Sequence, residues 1–171
     1  TGRLGVKGEL EAQQLPAREE KDLYQLRRYI AAPAGEVLVV ADYAALEVVI
    51  LADLCVRLFA DDQLARAVAP GAADIHAVNA RAVFGEQLGW RLGDGRAVAA
   101  VPLAEFKGDG EAAKLRQMIK TVWYGLQYGK GGFGFSTLEG ADGQPIGERR
   151  ATEIVDGLLG AVPGLAKWQA W

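Results

Sequence analysis

The sequence predicts an α+β chain, an open α+β piece followed by a mostly helical part. Three observations predict it. "VLVVAD" at 37–42 is a short β-branched run that reads as a buried strand. Residues 43–60, "YAALEVVILADLCVRLFA", then carry apolar side chains around most of a helical circumference, as a buried helix would. Beyond them, helical patterns alternate with glycine- and proline-rich breaks as far as residue 171.

In order along the chain, residues 1–20 are polar and read as extended or loop structure. "EKDLYQLRRYIA" at 20–31 sets Leu23, Leu26 and Ile30 at helical spacing. "PAGEV" at 33–37 is a turn. After the strand and helix of 37–60, helical periodicity resumes at 61–69 and stops at Pro70-Gly71. Asp74 is placed to cap a helix over "IHAVNARAVFG" that closes at Gly85. Residues 86–111 are glycine-rich with mixed charge and read as an irregular insertion. A long helix is predicted from about Glu111 to Tyr128, broken by glycines 129, 131, 132 and 134. "EGADGQPIG" at 139–147 is a turn-rich loop, and "ERRATEIVDGLLGAV" a further helix stopped by "PG" at 163–164.

Half of the residues are apolar, which is globular rather than disordered composition. The net charge of −3 does not announce a nucleic-acid binder, yet cations cluster: Lys114, Arg116, Lys120 and Lys130 fall in a stretch without an acid. The lone Cys55 excludes an internal disulfide, reads as a buried small hydrophobe, and fits a reducing, intracellular setting. No signal pattern is visible, and Asp42, Glu47 and Asp53 interrupt the most apolar run, so it is not a membrane span. The sequence opens on "TGRLGVKG" and stops at "KWQAW", and both ends read as cut from something longer.

Two places carry chemistry. Asp42 ends the predicted strand, where it reads equally as a ligand for a hard divalent cation or as the cap of the next helix. Glu47, five residues on, faces solvent or needs a partner, because an unpaired buried charge is costly. The second place is "KLRQMIKTVWYGLQYGKGGFG" at 114–134, in which Arg116, Lys120, Tyr124 and Tyr128 recur every fourth residue and so share a helix face. Arg116 to Tyr124 spans roughly 12 Å at ~1.5 Å per residue, comparable with an extended nucleoside triphosphate. Two cations suit a polyphosphate and an aromatic can pack on a sugar or base. The plainer reading is a solvated face beside core aromatics.

Taken together the two stretches resemble family A DNA polymerases, the DNA polymerase I-like enzymes. "ADYAALEVVILADL" resembles their motif A, usually DYSQIELRVLAHL, and "RQMIKTVWYGLQYG" their motif B, R-x3-K-x6–7-YG. "DIHAVNARAVFG" lies between them as in that family. "TGRL", "QQLP", "LRRYIAA" and "VLVVADY" precede them in the family's order, and "VPGLAKW" follows. The resemblance spans essentially the whole chain.

It implies a partial polymerase palm of short antiparallel strands plus helices over residues 1–60, with motif A. A mostly α-helical fingers subdomain follows over 61–171, with the insertion at about 86–111 and the nucleotide-binding helix at about 112–128. It implies template-directed addition of deoxynucleotides to a primer 3′-hydroxyl by two-metal phosphoryl transfer with Mg2+. By resemblance Asp42 is a metal-bridging carboxylate and the Tyr43 carbonyl a further metal ligand. Arg116 and Lys120 hold the triphosphate, His76 touches a phosphate, and Tyr124 packs on sugar and base. Glu47, paired with the Tyr124 hydroxyl, excludes a ribose 2′-hydroxyl. Tyr128 sits near the templating base, Gly125 and Gly129 let the template approach, and Arg3 and Gln13 fall where the family touches DNA. The implied partners are primer-template DNA, deoxynucleoside triphosphates and missing palm and thumb segments of the same or another chain, with no membrane. The implied location is intracellular, cytoplasmic for a bacterial or phage protein or else organellar.

Departures from the pattern are Ala44-Ala45 for the family's Ser-Gln, Val49 for its Arg, Asp53 for its motif A His, and Trp123 where Asn is common. The stretch from "DIH" to Arg116 is about twice the usual length. No His-Asp-Glu motif C occurs in these residues, so the second metal carboxylate is missing and the chain alone is expected to be inactive. The alternative is a non-catalytic nucleotide- or DNA-binding module, or one piece of a split polymerase. A single-subunit RNA polymerase shares the Arg, Lys and Tyr arrangement, but Glu47 would crowd a ribose. A phosphate-loop NTPase fails because "GKGGFG" follows a helix and no G-x4-G-K-[ST] exists.

Overall fold

The computed structural model describes residues 29–39, 43, 45–140 and 144–171. Contacts divide the chain into two units, residues 1–44 and residues 45–171. In the first, the predicted turn is present: the Glu36 amide donates to the Pro33 carbonyl at 3.0 Å, and Gly35 takes φ +88°. Residues 37–39 follow it as exposed chain without a pairing partner among the described residues, and the rest of the expected strand, 40–42, lies outside them. The helix expected at 20–31 also falls almost wholly outside them.

The α+β expectation is corrected here. Among the described residues there is no strand and no sheet, only the isolated bridges Arg91–Ala97 and Glu139–Pro145. A β-branched run favours an extended backbone, but a strand exists only when a second segment satisfies its amides and carbonyls. No described segment does so for 37–39. Among the described residues the expected antiparallel strands of a palm are therefore absent.

Among its described residues the second unit has six α-helices. Helix α1 (Leu46–Phe59) buries Val48, Leu51, Ala52 and Cys55, and α2 (Gln63–Ala67) follows it. Helix α3 (Ile75–Ala80) begins at Asp74, whose Oδ1 accepts from the Ala77 amide at 2.9 Å, as the sequence predicts. It runs on without a break as a π-helical stretch over Arg81–Gln87, where the Leu88 amide donates to the Val83 carbonyl five residues back. Gly85 is needed there: a Cβ would stand 2.3 Å from the Ala99 backbone nitrogen.

Residues 86–111 are more ordered than their composition predicts. They form tight turns at Val98–Ala100 and Leu103–Lys107, and bury Leu92, Val98, Val101 and Phe106. The second turn packs on helix α4 (Glu111–Gln127). Helix α4 is the spine of the unit, and its buried stripe is Ala112, Leu115, Met118, Ile119, Val122, Trp123 and Leu126. Helix α5 (Gly147–Ala161) follows the turn Gly132–Phe135 and buries Ala151, Ile154, Val155 and Leu158. "PG" at 163–164 opens a helix as well as closing one: Pro163 sits in the first turn of α6 (Pro163–Ala170), where its missing N–H costs nothing. Gly164 lies so close to α1 that a Cβ would be 2.9 Å from Cys55 Sγ. Cys55 is buried as expected, and burial, then the Asp61 charge, pushes its thiol above the ordinary range. No helix among the described residues is long and apolar enough to cross a membrane.

Candidate nucleotide-binding face

The predicted stripe lies along the flank of α4. Its apolar side faces the core, so the residues four apart from Arg116 fall at the edge of the buried arc. Arg116, Lys120 and Tyr124 are each half-buried, whereas Tyr128, the residue that caps α4, is exposed.

Arg116 makes a two-pronged ion pair with Asp74. Its Nε donates to Oδ1 at 3.0 Å and its Nη2 to Oδ2 at 2.8 Å. Burial would raise the Asp74 carboxyl, but the Arg116 guanidinium and the Ala77 amide hold it down at about 2. His76 lies one turn into α3, with its ring against the edge of Trp123 (centroids 5.7 Å apart) and beside Tyr124 (5.8 Å). It is buried, and its Nδ1 has no hydrogen-bond partner among the described residues. Burial pushes the imidazole down to about 4, Asp74 opposes this, and the charges of Arg116 and Lys120 add to it.

Lys120 Nζ stands 5.9 Å from the Tyr124 ring centroid, and no acid pairs with it among the described residues. The Tyr124 phenol is raised by burial and next by the Glu47 carboxylate, so Glu47 lies within electrostatic reach. No hydrogen bond joins the two side chains. Gln127 brings them together: its Nε2 donates to the Glu47 carbonyl at 2.8 Å, tying α4 to the first turn of α1. Trp168 Nε1 in turn donates to the Gln127 carbonyl at 3.0 Å.

The glycines after the stripe have local reasons. Gly129 takes φ +81° just beyond α4; the Lys130 amide reaches the Gly125 carbonyl at 2.8 Å and the Gly129 amide the Leu126 carbonyl at 2.9 Å. Gly125 seats the Phe135 ring, since a Cβ there would be 2.4 Å from Phe135 Cζ.

His76, Arg116, Lys120 and Tyr124 thus gather within one unit around the seam of α3 and α4, with Glu47 of α1 within electrostatic reach of Tyr124. Of the remaining predicted positions, Arg3, Gln13 and Asp42 lie outside the described residues. Tyr43 is exposed and belongs to the first unit. By sequence Asp74 is only a helix cap, and Gln127 carries no signal of a role. No local signal links either to its partner, because the contacts cross 42 and 80 residues. Among the described residues no three His, Cys, Asp or Glu side chains converge to hold a metal ion. Asp74 is committed to Arg116, and the Glu47 carboxylate acts on Tyr124 through its charge.

The comparisons with known proteins point the same way. The DNA polymerase of Mycobacterium phage D29 is 31% identical over 168 residues, which cover 98% of this chain and 22% of that protein. The DNA polymerase I of Chloroflexus aurantiacus is 29% identical over 170 residues, 98% of this chain and 14% of that protein. The chain therefore spans about a fifth or less of the length of these curated relatives. No solved structure gives a significant match. The profile of the family described as DNA polymerase family A matches residues 1–170, and on that match the chain belongs to DNA polymerase family A.

Proposed function

We propose that this chain supplies the nucleotide-binding face of a DNA-directed DNA polymerase. The observation that carries the reading is the gathering of two cations, a neutral imidazole and a tyrosine at the seam of α3 and α4. Lys120, unpaired by any described acid, attracts the polyphosphate. Arg116 adds directed N–H bonds to a phosphate oxygen. His76 stays neutral near pH 7. A proton on its Nδ1 would find no acceptor among the described residues, so we assign it to Nε2, which then donates to a phosphate. Tyr124 packs on the sugar and base, and Glu47 beside it leaves no room for a ribose 2′-hydroxyl. Tyr128 and Gly129, at the end of α4, lie toward the template, and Arg3 and Gln13 meet primer-template DNA.

In the reaction the primer 3′-hydroxyl attacks the α-phosphate of a deoxynucleoside triphosphate and pyrophosphate leaves. The cations of α4 offset the charge that builds on the phosphates. Asp42 and the Tyr43 carbonyl would hold Mg2+, which supplies Lewis-acid stabilisation when bound. In this reading residues 1–60 belong to the palm part and 61–171 to the fingers. The 171-residue chain binds nucleotide without extending a primer, because it brings one metal carboxylate where the chemistry uses two.

Titration calorimetry of the chain with dATP tests the proposal. Lys120→Ala should weaken binding by about tenfold, the usual scale for losing one direct charge contact. Equal affinity in the variant and the wild type would remove Lys120 from the site and the reading with it.

A further inference from the structure

Asp74 does two jobs with one carboxylate. Oδ1 accepts both the Ala77 amide at 2.9 Å, which starts α3, and Arg116 Nε at 3.0 Å; Oδ2 accepts Arg116 Nη2 at 2.8 Å. The two side chains are only 16% and 23% exposed, so the pair is shielded from solvent exchange more than a surface ion pair is. A guanidinium has five N–H groups in a rigid plane. Two are spent on Asp74, which leaves one N–H on Nη2 and two on Nη1. Their direction is therefore set by Asp74.

Building on the nucleotide-site reading, we propose that Asp74 is a positioning residue for phosphate capture: it holds the Arg116 guanidinium so that its unused edge meets a phosphate in register with His76. An unrestrained arginine must give up rotamer freedom when it binds, whereas one already held in its fork gives up little. The link to the Ala77 amide extends the restraint to α3, so His76, two residues after Asp74, is fixed relative to Arg116. Pairing also cancels much of the charge on Arg116. The net positive charge of the face then rests on Lys120, and the two cations divide the work: Lys120 attracts and Arg116 orients.

The test is a double-mutant cycle on dATP affinity, measured by titration calorimetry on the 171-residue chain. Asp74→Asn keeps an oxygen to cap α3 but cannot accept both arginine donors. Asp74→Asn and Arg116→Ala should each weaken binding about tenfold, and the double variant should bind no more weakly than Arg116→Ala alone. In an Arg116→Lys background, where no fork exists, Asp74→Asn should likewise change nothing. Multiplying losses would mean that Asp74 acts only through the helix, and tighter or unchanged binding by Asp74→Asn would mean that it does not position Arg116; either overturns the proposal. Lys120→Ala separates the levels. If it loses affinity while Asp74→Asn does not, the positioning role alone falls. If it binds as well as wild type, the nucleotide site falls and takes this role with it.

Discussion

Lowering the pH should destabilise this chain through a single imidazole. His76 is the one histidine in the sequence, so the window between pH 7 and 5 is its own. Burial is the main reason that it holds a proton only below about 4, against an ordinary 6.5; Asp74 resists this, while Arg116 and Lys120 reinforce it. The unfolded chain therefore takes up the proton first as pH falls. Stability is complete above about 6.5, drains away down to about 4, and then levels off as far as this group is concerned. The gap between 6.5 and about 4 corresponds to about 3 kcal/mol, of which about 2–3 is already gone at pH 4.5. Urea unfolding followed by circular dichroism at pH 7.5, 6, 5 and 4.5 measures it, with His76→Phe as the reference because it keeps a ring against Trp123 and cannot titrate. Carboxylates contribute to both proteins alike, and Asp74, held near 2, acts at lower pH. The wild type should lose about 2 kcal/mol more than the variant between pH 7.5 and 4.5. Parallel curves would show that the imidazole is not held neutral by its surroundings.

Two further outcomes follow from the site. Gly125→Ala forces a methyl to within 2.4 Å of the Phe135 ring, and the overpacking, about 1–3 kcal/mol, should outweigh the helix-propensity gain of up to about 1 kcal/mol. With Phe135→Leu in place the same change should turn stabilising, and urea midpoints decide the sign. Glu47→Gly should bring the affinities for ATP and dATP closer together, with little effect on dATP itself. An unchanged ratio by calorimetry would take Glu47 out of sugar selection.

What the sequence made legible was local. The 3.6-residue stripe of Leu115, Ile119, Val122 and Leu126 sets helix α4 almost to the residue, and Asp74 followed by "IHAVNA" sets the start of α3. Cys55 among Leu51, Ala52 and Val48 is buried as its neighbours require. What failed was whatever depends on a distant partner. "VLVV" has strand propensity, but pairing is decided elsewhere in the chain, and residues 37–39 have none among the described residues. The 86–111 stretch reads as loop because its glycines hide four well-spaced hydrophobes, Leu92, Val98, Val101 and Phe106, which the helices cover. In the candidate site the same division holds. Spacing alone puts Arg116, Lys120 and Tyr124 on one face, whereas the ring of His76 and the carboxylate of Asp74 reach that face only by packing of α3 on α4.

Helix α4 is gripped at both ends. Gln127 clasps α1, Trp168 and Gln169 of α6 hold the carbonyls of Gln127 and Leu126, and Arg116 is bolted to the start of α3. A rod fastened in this way cannot tilt on its own axis without snapping at least one fastening. Any swing toward or away from a ligand would carry α3 along as part of the same plate, so the give in the mechanism has to come from the joints around that plate rather than from within it.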